Sequence, residues 1–340
     1  MHLKYDMAFV GSGPAGTSAA ITAASRGLRV LLLDRVRFPR LRPGECLHPG
    51  IEPIFRELRV WHAVAEASAV RPEQRRVCWD GGSRLESFGQ DAKGGWRAVH
   101  ITRSVLDAIL LQRARDMGVE YRQAREEPLQ LLRRSGGDVD GVIIGGAPVQ
   151  CRYLVDASGS GSWLNRQLGV APQVCSPKLT AFCGYREGHL EDAQRFYTGV
   201  DGWYWFAQVD THTVNWTQVK YGVHTKPCVP AELSGMPAAG PSVCGFDVTW
   251  RRAGTLAGQS YFVTGDAAFV LDPSAGNGVL HAVLSGIFAG ECVVAVTEGR
   301  ENHVSVQALY HEWSSQWFDA GRKALAGVHG QQWSHRIGAA

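Results

Sequence analysis

The sequence lacks the signatures of several functional classes. Its eight cysteines (Cys46, Cys78, Cys151, Cys175, Cys183, Cys228, Cys244 and Cys292) include no CxxC pair, so they read as reduced thiols and not as a disulfide framework. No Lys/Arg run is long enough for a nucleic-acid arm, and the net charge is only +3. The densest basic stretch, Arg35, Arg37, Arg40 and Arg42, is interrupted by proline and reads as a phosphate-facing loop, so nucleic acid is not an expected partner. Met1 leads straight into a strand pattern with none of the charged, apolar and small-residue succession of a secretory leader; the expected location is cytoplasmic. The longest apolar stretch, 279–296, is broken by His281, Ser285, two glycines and Glu291. It fits a buried helix better than a membrane span, and no transmembrane segment is expected. Cys46 and His48 have no partner pair elsewhere, and HExxH and GxSxG are both missing, so neither a metal site nor hydrolase chemistry has support. There is no internal repeat and no low-complexity linker.

What is present is a chain of 340 residues, 45% hydrophobic and 20% charged, enough for one large or two ordinary domains. Its 40 glycines have no fixed period and punctuate turns and helix ends. Tyr5 to Val10 reads as a buried strand, followed at once by GSGPAG. Pro14 to Arg26 reads as an alanine-rich helix stopped at Gly27, and Leu28 to Leu33 as a second strand ending in Asp34. In this strand–turn–helix–strand context Gly11 permits the tight turn, Gly13 lets the backbone approach a pyrophosphate, and Gly16 lets helix and strand pack closely. Pro14 and Ala15 open a helix whose free N–H groups and positive dipole end face the phosphates. Asp34, 23 residues after Gly11, suits a ribose diol and disfavours a 2′-phosphate, even with Arg35 adjacent. The pattern predicts a bound dinucleotide and leaves NAD and FAD both open.

Further along, 54–67 reads as one helical stretch and 75–100 as irregular strands. Ser104 reads as the cap of an amphipathic helix through Leu106, Ile109, Leu110 and Met117 to Gly118. The segments 128–133, 139–144 and 149–156 read as a three-stranded meander. Residues 175–255 are β-rich; 260–266 returns to a buried strand, followed by the apolar helix and a helical tail with Trp313, Trp317 and Trp333. The expected fold is α/β, a Rossmann-like nucleotide-binding domain with a β-rich substrate domain inserted. The nucleotide domain is expected over 1–75, 101–174 and 257–340, and the inserted domain over 76–100 and 175–256.

Three segments decide between the dinucleotides through a family resemblance. The stretch from Phe38-Pro39-Arg40 through Gly44-Glu45-Cys46-Leu47 resembles the loop after the second strand in FAD-dependent monooxygenases, geranylgeranyl reductases and flavin-dependent halogenases. YLVDASGSG, Tyr153 to Gly161, resembles their second nucleotide motif, and YFVTGDAAFVLDPSAGNG, Tyr261 to Gly278, their Gly-Asp motif and following loop. The order of these elements resembles the para-hydroxybenzoate hydroxylase-like superfamily along most of the chain. The resemblance implies FAD as cofactor, with Asp156 and Gly159 in the second motif. It implies that Gly265 and Asp266 reach a ribityl or ribose hydroxyl, and that the backbone from Pro273 through Gly276, Asn277 and Gly278 wraps the pyrimidine end of the flavin. Arg40 and Glu45 match loop residues beside the flavin, and Arg103 the arginine that reaches the cofactor. The two arginines also fit an ordinary surface salt bridge.

Trp203 and Trp205 resemble part of a halogenase signature, but the chain continues with Phe206, Ala207 and Gln208. The stretch 75–82, where halogenases carry their lysine, has none, and Lys93 is the nearest. The expected activity is therefore an FAD-dependent monooxygenase hydroxylating an electron-rich aromatic ring through a flavin C4a-hydroperoxide. NAD(P)H or a separate flavin reductase would be the electron donor. GECLHPG and DPSAGNGVLHA look most like the halogenase-related branch, which includes maturases of tryptophylquinone enzymes, so the partner is an aromatic small molecule or a protein-bound tryptophan. The candidates nearest the chemistry are His48 and Glu45 on the flavin loop, with Trp203 and Trp205 as a substrate wall or a packed strand face. His281 reads as a core histidine or a neighbour of the flavin. A reductase of the geranylgeranyl type and a flavin-binding protein without turnover remain as alternatives.

Overall fold

The computed structural model describes residues 4–40, 42–79, 81–125, 127–199, 202–222 and 226–337, with the side chains of Pro241 and of 327–337, Trp333 among them, outside the described set. Counting strands of three residues or more, the order begins β1 (Tyr5–Val10), α1 (Pro14–Ser25), β2 (Val30–Asp34), α2 (Ile51–Glu57), α3 (Trp61–Ala67), β3 (Gln74–Trp79) and β4 (Gly82–Ser87). It continues α4 (Arg103–Asp116), β5 (Glu120–Gln123), β6 (Leu129–Arg133), β7 (Val139–Ile144), β8 (Ala147–Asp156) and α5 (Trp163–Leu168). The rest is β9 (Leu179–Glu187), β10 (Gln194–Gly199), β11 (Gly202–Gln208), β12 (Thr213–Tyr221), β13 (Ala238–Asp247), β14 (Tyr261–Val263), α6 (Gly278–Thr297) and α7 (His303–Ile337).

The chain divides into two units. One comprises Met1–Val36, Ala114–Cys175 and Trp250–Ala340, the other Arg37–Arg113 and Ser176–Thr249. Residues 37–75 and 101–113, assigned from the sequence to the nucleotide domain, group with the β-rich unit, and 250–256, assigned to the insert, group with the first. The proline-broken loop and the two short helices after it make their contacts there.

In the first unit β5, β2, β1, β8 and β14 run parallel, and β6 and β7 extend the far side of β8 as an antiparallel meander. The runs YDMAFV and VLLLD are apolar along almost their whole length and buried, as strands covered on both faces must be. β8 serves both parts: its first half pairs with β7 and its second half with β1. This is the α/β arrangement expected from the sequence. On one side α1 packs against α6 at very short range. A Cβ on Gly286 would lie 2.1 Å from the Ala15 carbonyl oxygen, and one on Gly290 3.2 Å from that of Ala19. Among the described residues, α6 alone is long and apolar enough to cross a membrane, and 56% of its apolar window is buried within the fold.

The second unit is a seven-stranded sheet in the order β13-β9-β12-β11-β10-β3-β4, antiparallel except for the β10–β3 pair. Its two faces follow the period-two alternation of side chains. Phe182, Phe206 and Trp216 form a core with Leu233 on one face, while Trp203 and Trp205 pack on Phe196, ring centroids 5.5 and 6.0 Å apart, on the other.

Two local expectations differ from the structure. The stretch 54–67 is two helices: Arg59 takes a left-handed φ of 57°, and Val60 N–H reaches back to the Phe55 carbonyl. The chain thus stops and turns at a residue type that gives no signal of it. Ser104 lies inside α4, one residue past its start, and its hydroxyl bonds the Thr102 hydroxyl at 3.1 Å; the helix opens one residue before the expected cap.

Candidate functional site

At the carboxyl edge of the first unit's parallel strands, turns from four distant segments line up. Val10 is in register with both Leu33 and Asp156, and Asp156 with Val263. Backbone hydrogen bonds continue the ladder into the turns. Gly11 N–H donates to Leu33 O at 2.7 Å, Ala157 N–H to Val10 O at 2.9 Å, and Thr264 N–H to Asp156 O at 2.8 Å. In open α/β sheets this is the edge where ligands bind.

The glycine turn is built for close approach. Gly11 has φ +108°, and a Cβ there would sit 2.2 Å from the Ala157 carbonyl oxygen; one on Gly16 would sit 1.9 Å from that of Gly11. Gly16 therefore makes room for the turn's own carbonyl, and for Ala157 beyond it. Gly13 is the N-cap of α1 and Pro14 its first residue, and no side chain caps the helix. The N–H groups of the first turn, at Ala15 and Gly16, have no partner within the helix.

Asp34 is buried at the end of β2. Its Oδ2 accepts from Ser12 N at 2.8 Å and Ser12 Oγ at 2.6 Å, and its Oδ1 from Val36 N at 2.8 Å. The carboxylate thus braces the glycine turn from below. Arg35 is exposed beside it and lines a cavity of about 350 Å³ with Arg125, Glu127, Leu129, Trp163 and Gln167.

Asp156 is fully buried. It accepts from Ser158 N at 2.9 Å and from Leu164 N at 2.7 Å, the latter in the first turn of α5. Burial raises its pKa, against the pull of those hydrogen bonds. It shapes the loop through Gly159, which has φ +80°, and is a positioning residue. Gly265 donates its N–H to Ser285 Oγ of α6 at 2.9 Å, while Asp266 is exposed between buried neighbours. Asp272 accepts from Ser274 N at 2.8 Å, starting the 3-10 turn Pro273–Ala275. Gly276 closes that turn with φ 66°, and Asn277 is the N-cap of α6, which begins at Gly278. His281 is a core residue, its ring centroid 3.9 Å from that of Phe269 and 5.7 Å from that of Trp317. Burial alone lowers its pKa to about 3, and its Nε2 lacks a hydrogen-bond partner.

The second unit holds the remaining candidates in two clusters. Arg40 and Arg103 share the fully buried Asp107. Arg40 Nε lies 3.0 Å from Oδ2, Arg103 Nε 2.9 Å from Oδ1, and Arg103 also donates to the Pro43 carbonyl at 3.1 Å. The salt bridge is internal, with the arginine side chains 9% and 13% exposed. It pins the loop after β2 to α4.

The other cluster centres on Glu45, which is 2% exposed. It accepts from the Gly44 N–H at 2.8 Å and from the Tyr185 hydroxyl on β9. Burial raises the Glu45 pKa, with Tyr185 and Gly44 pulling the other way. Burial and then the Glu45 charge raise that of Tyr185. Tyr185 is thus the donor and Glu45 the acceptor, in a pair reluctant to lose protons. Next to it Trp205 Nε1 donates to Cys46 Sγ at 3.3 Å. His48 is exposed, and its Nδ1 accepts from Gly50 N at 3.0 Å. Partial burial and the charge of Arg75 lower its pKa. Trp203 is 1% exposed and packs as a strand face.

Sequence reasoning missed Ser12, Asp107, Tyr185 and Ser285. Asp107 alone had a local signal, four residues after Arg103 on one helix face.

The profile of the FAD binding domain family matches residues 4–182. The chain belongs to that family. FAD is the cofactor the family implies, and the first unit fits it: an uncapped helix start, a turn whose glycines leave no space for side chains, and a carboxylate at the next strand end. Over 92% of its length the chain is 26% identical to a 1H-pyrrole-2-carbonyl-[peptidyl-carrier protein] brominase of Pseudoalteromonas luteoviolacea, covering 82% of that protein. It is 25% identical to a digeranylgeranylglycerophospholipid reductase of Methanothrix thermoacetophila, over 92% of this chain and 83% of that one. The fold is also that of the solved peptidyl tryptophan dihydroxylase of tryptophylquinone cofactor biogenesis, with a TM-score of 0.74 and 18% identity over 97% of this chain and 76% of the other. The protein is thus a member of the FAD-dependent oxidoreductases that span monooxygenases, halogenases and reductases.

Proposed function

We propose that this protein is an FAD-dependent monooxygenase that hydroxylates an electron-rich aromatic ring, with a protein-bound tryptophan as the first substrate class to test. Reduced by NAD(P)H or by a separate flavin reductase, bound FAD would supply the activated oxygen. The first turn of α1, Gly13 to Gly16, would hold the pyrophosphate. Asp34 and Asp266 would accept from ribose and ribityl hydroxyls, and the backbone N–H groups from Gly276 to Gly278 would face the flavin's pyrimidine end. Asp156 would position the loop at Gly159. In the second unit, the buried Glu45–Tyr185 pair holds the loop of Gly44 to His48 in one conformation.

The observation that carries the choice of hydroxylation over halogenation is β3. Gln74–Trp79 has no lysine, and its two cations are engaged: Arg75 with Glu86 at 3.1 Å and Arg76 with Asp192 at 2.5 Å. A lysine amine can lose its proton and act as a nucleophile, whereas a guanidinium stays charged. The pyrrole of one relative's name and the tryptophan of another's are both electron-rich rings, which supports an aromatic substrate.

The test is incubation of the reduced protein with isotopically labelled dioxygen and tryptophan-containing peptides or partner proteins, with bromide present, followed by mass spectrometry. Gain of labelled oxygen on the ring is the expected result. A brominated ring would establish a halogenase instead. The 25% identity to a lipid reductase favours one other reading, and oxygen-independent saturation of an isoprenoid double bond would establish that one.

A further inference from the structure

Two cysteines with no part in the cofactor reading lie on neighbouring strands of the second unit's sheet, beside the Glu45–Tyr185 pair. Cys183 on β9 and Cys244 on β13 are direct partners in the antiparallel register, and both are free thiols. Directly opposed residues of an antiparallel pair lie on one face with Cα atoms about 4.5–5.5 Å apart. A disulfide spans Cα separations of roughly 4.4–6.8 Å. The register shifts between Cys183 and Tyr185, immediately after this rung, so β13 has slack on that side to let the two Cβ atoms close.

The two sulfurs have different surroundings. Cys244 is exposed, and its thiol donates to the Ser242 carbonyl at 3.4 Å. Cys183 is 7% exposed, and burial, with the Glu45 charge adding to it, pushes its thiol up to about 12. Cys244 is thus the sulfur that a dissolved oxidant meets first, as access dictates.

We propose that Cys183 and Cys244 form a cross-strand redox dithiol that hydrogen peroxide closes into a disulfide. The Cys244 thiolate attacks one peroxide oxygen and the O–O bond breaks. The second oxygen leaves as water and the sulfur becomes a sulfenic acid. The Cys183 sulfur then attacks that sulfur, forming the S–S bond, and the sulfenic oxygen leaves as a second water. Two thiols lose their hydrogens and two electrons, and one peroxide is reduced to two waters. With one of its sulfurs exposed, such a disulfide is more reducible than a buried structural one, so glutathione reopens it. Tyr185, two residues further along β9, donates to Glu45, so the closed bridge would stiffen the strand that carries that pair.

The test is mild peroxide treatment of the full reduced chain, removal of peroxide, and thiol counting with peptide mass spectrometry under non-reducing conditions. The free-thiol count is expected to fall by two from eight, with one linked peptide pair containing Cys183 and Cys244, and reduced glutathione is expected to restore both. Cys244→Ser, at an exposed position that leaves packing intact, is expected to abolish the linked pair. Three results would overturn the proposal: a disulfide joining Cys183 to Cys46, a link between two chains, or Cys244 driven to sulfinic acid while Cys183 stays a free thiol.

Discussion

Asp107 makes the second unit sensitive to a change of a single side-chain group. Its carboxylate is fully buried and holds Arg40 at 3.0 Å and Arg103 at 2.9 and 3.2 Å, with both guanidiniums themselves largely buried. Asp107→Asn keeps the shape, removes the charge, and turns an N–H₂ group toward a guanidinium. Two buried guanidiniums then lose the carboxylate they share, which costs about 3–5 kcal/mol. Arg103→Met removes one cation and leaves Arg40 paired, so it should cost less. The triple variant Arg40→Met, Arg103→Met, Asp107→Leu removes the three charges of this cluster together and should recover most of the loss, because apolar replacement of a buried ion group is often neutral or stabilising. Urea unfolding followed by both tryptophan fluorescence and circular dichroism measures these differences, with coincident transitions required before the free energies are compared. A loss below about 1 kcal/mol for Asp107→Asn would refute the reasoning, as would a triple variant no more stable than the single one.

Gly16→Ala places a Cβ 1.9 Å from the Gly11 carbonyl oxygen; stability should fall by about 1–3 kcal/mol, and the purified variant should lose flavin absorbance, while full FAD retention would contradict the tight turn. Glu45 has its pKa raised above its ordinary 4.5, so what it contributes to stability is present below that value and is lost as pH rises through the raised pKa. Glu45→Gln should therefore gain on the parent protein as pH rises, and a pH-independent difference would count against the assignment. His281 has its pKa lowered from 6.5 to about 3, so its contribution is present above 6.5 and is lost as pH falls toward 3, by up to about 1.4 kcal/mol per pH unit. His281→Phe should be increasingly favoured over the parent from pH 7 down to pH 4 in denaturant melts, and parallel stability curves would refute the burial of that ring.

The α/β fold was legible because its signals are local. Strand, glycine turn, helix and strand follow one another over 30 residues from Tyr5 to Asp34, and each step has its own residue chemistry. What escaped the sequence were positions where backbone conformation departs from residue type. Arg59 occupies a left-handed position that glycine usually takes, so the break between α2 and α3 carries no punctuation. The unit boundary at Val36 is silent for a related reason: the loop after it is proline-rich wherever it packs, and only its contacts assign it.

The candidate site divides along the same line. A motif names the residue that must be present but not the atom that holds it. The spacing assigns Asp34 to a ribose, yet its Oδ2 also braces the glycine turn by accepting from both the N–H and the hydroxyl of Ser12, a role written in no spacing rule. The resemblance assigns Arg40 and Arg103 to a cofactor, and in the fold both guanidiniums pair with Asp107. Glu45 is the extreme case, because its hydroxyl donor Tyr185 lies 140 residues away on another strand. Periodicity reaches one helix or one strand and cannot predict such a pairing. Burial made these carboxylates dependent on their partners: an uncompensated buried charge costs far more than an exposed one. Each buried carboxyl among the motif residues, Asp34, Glu45 and Asp156, therefore implies a donor somewhere in the chain, and only the tertiary fold says which.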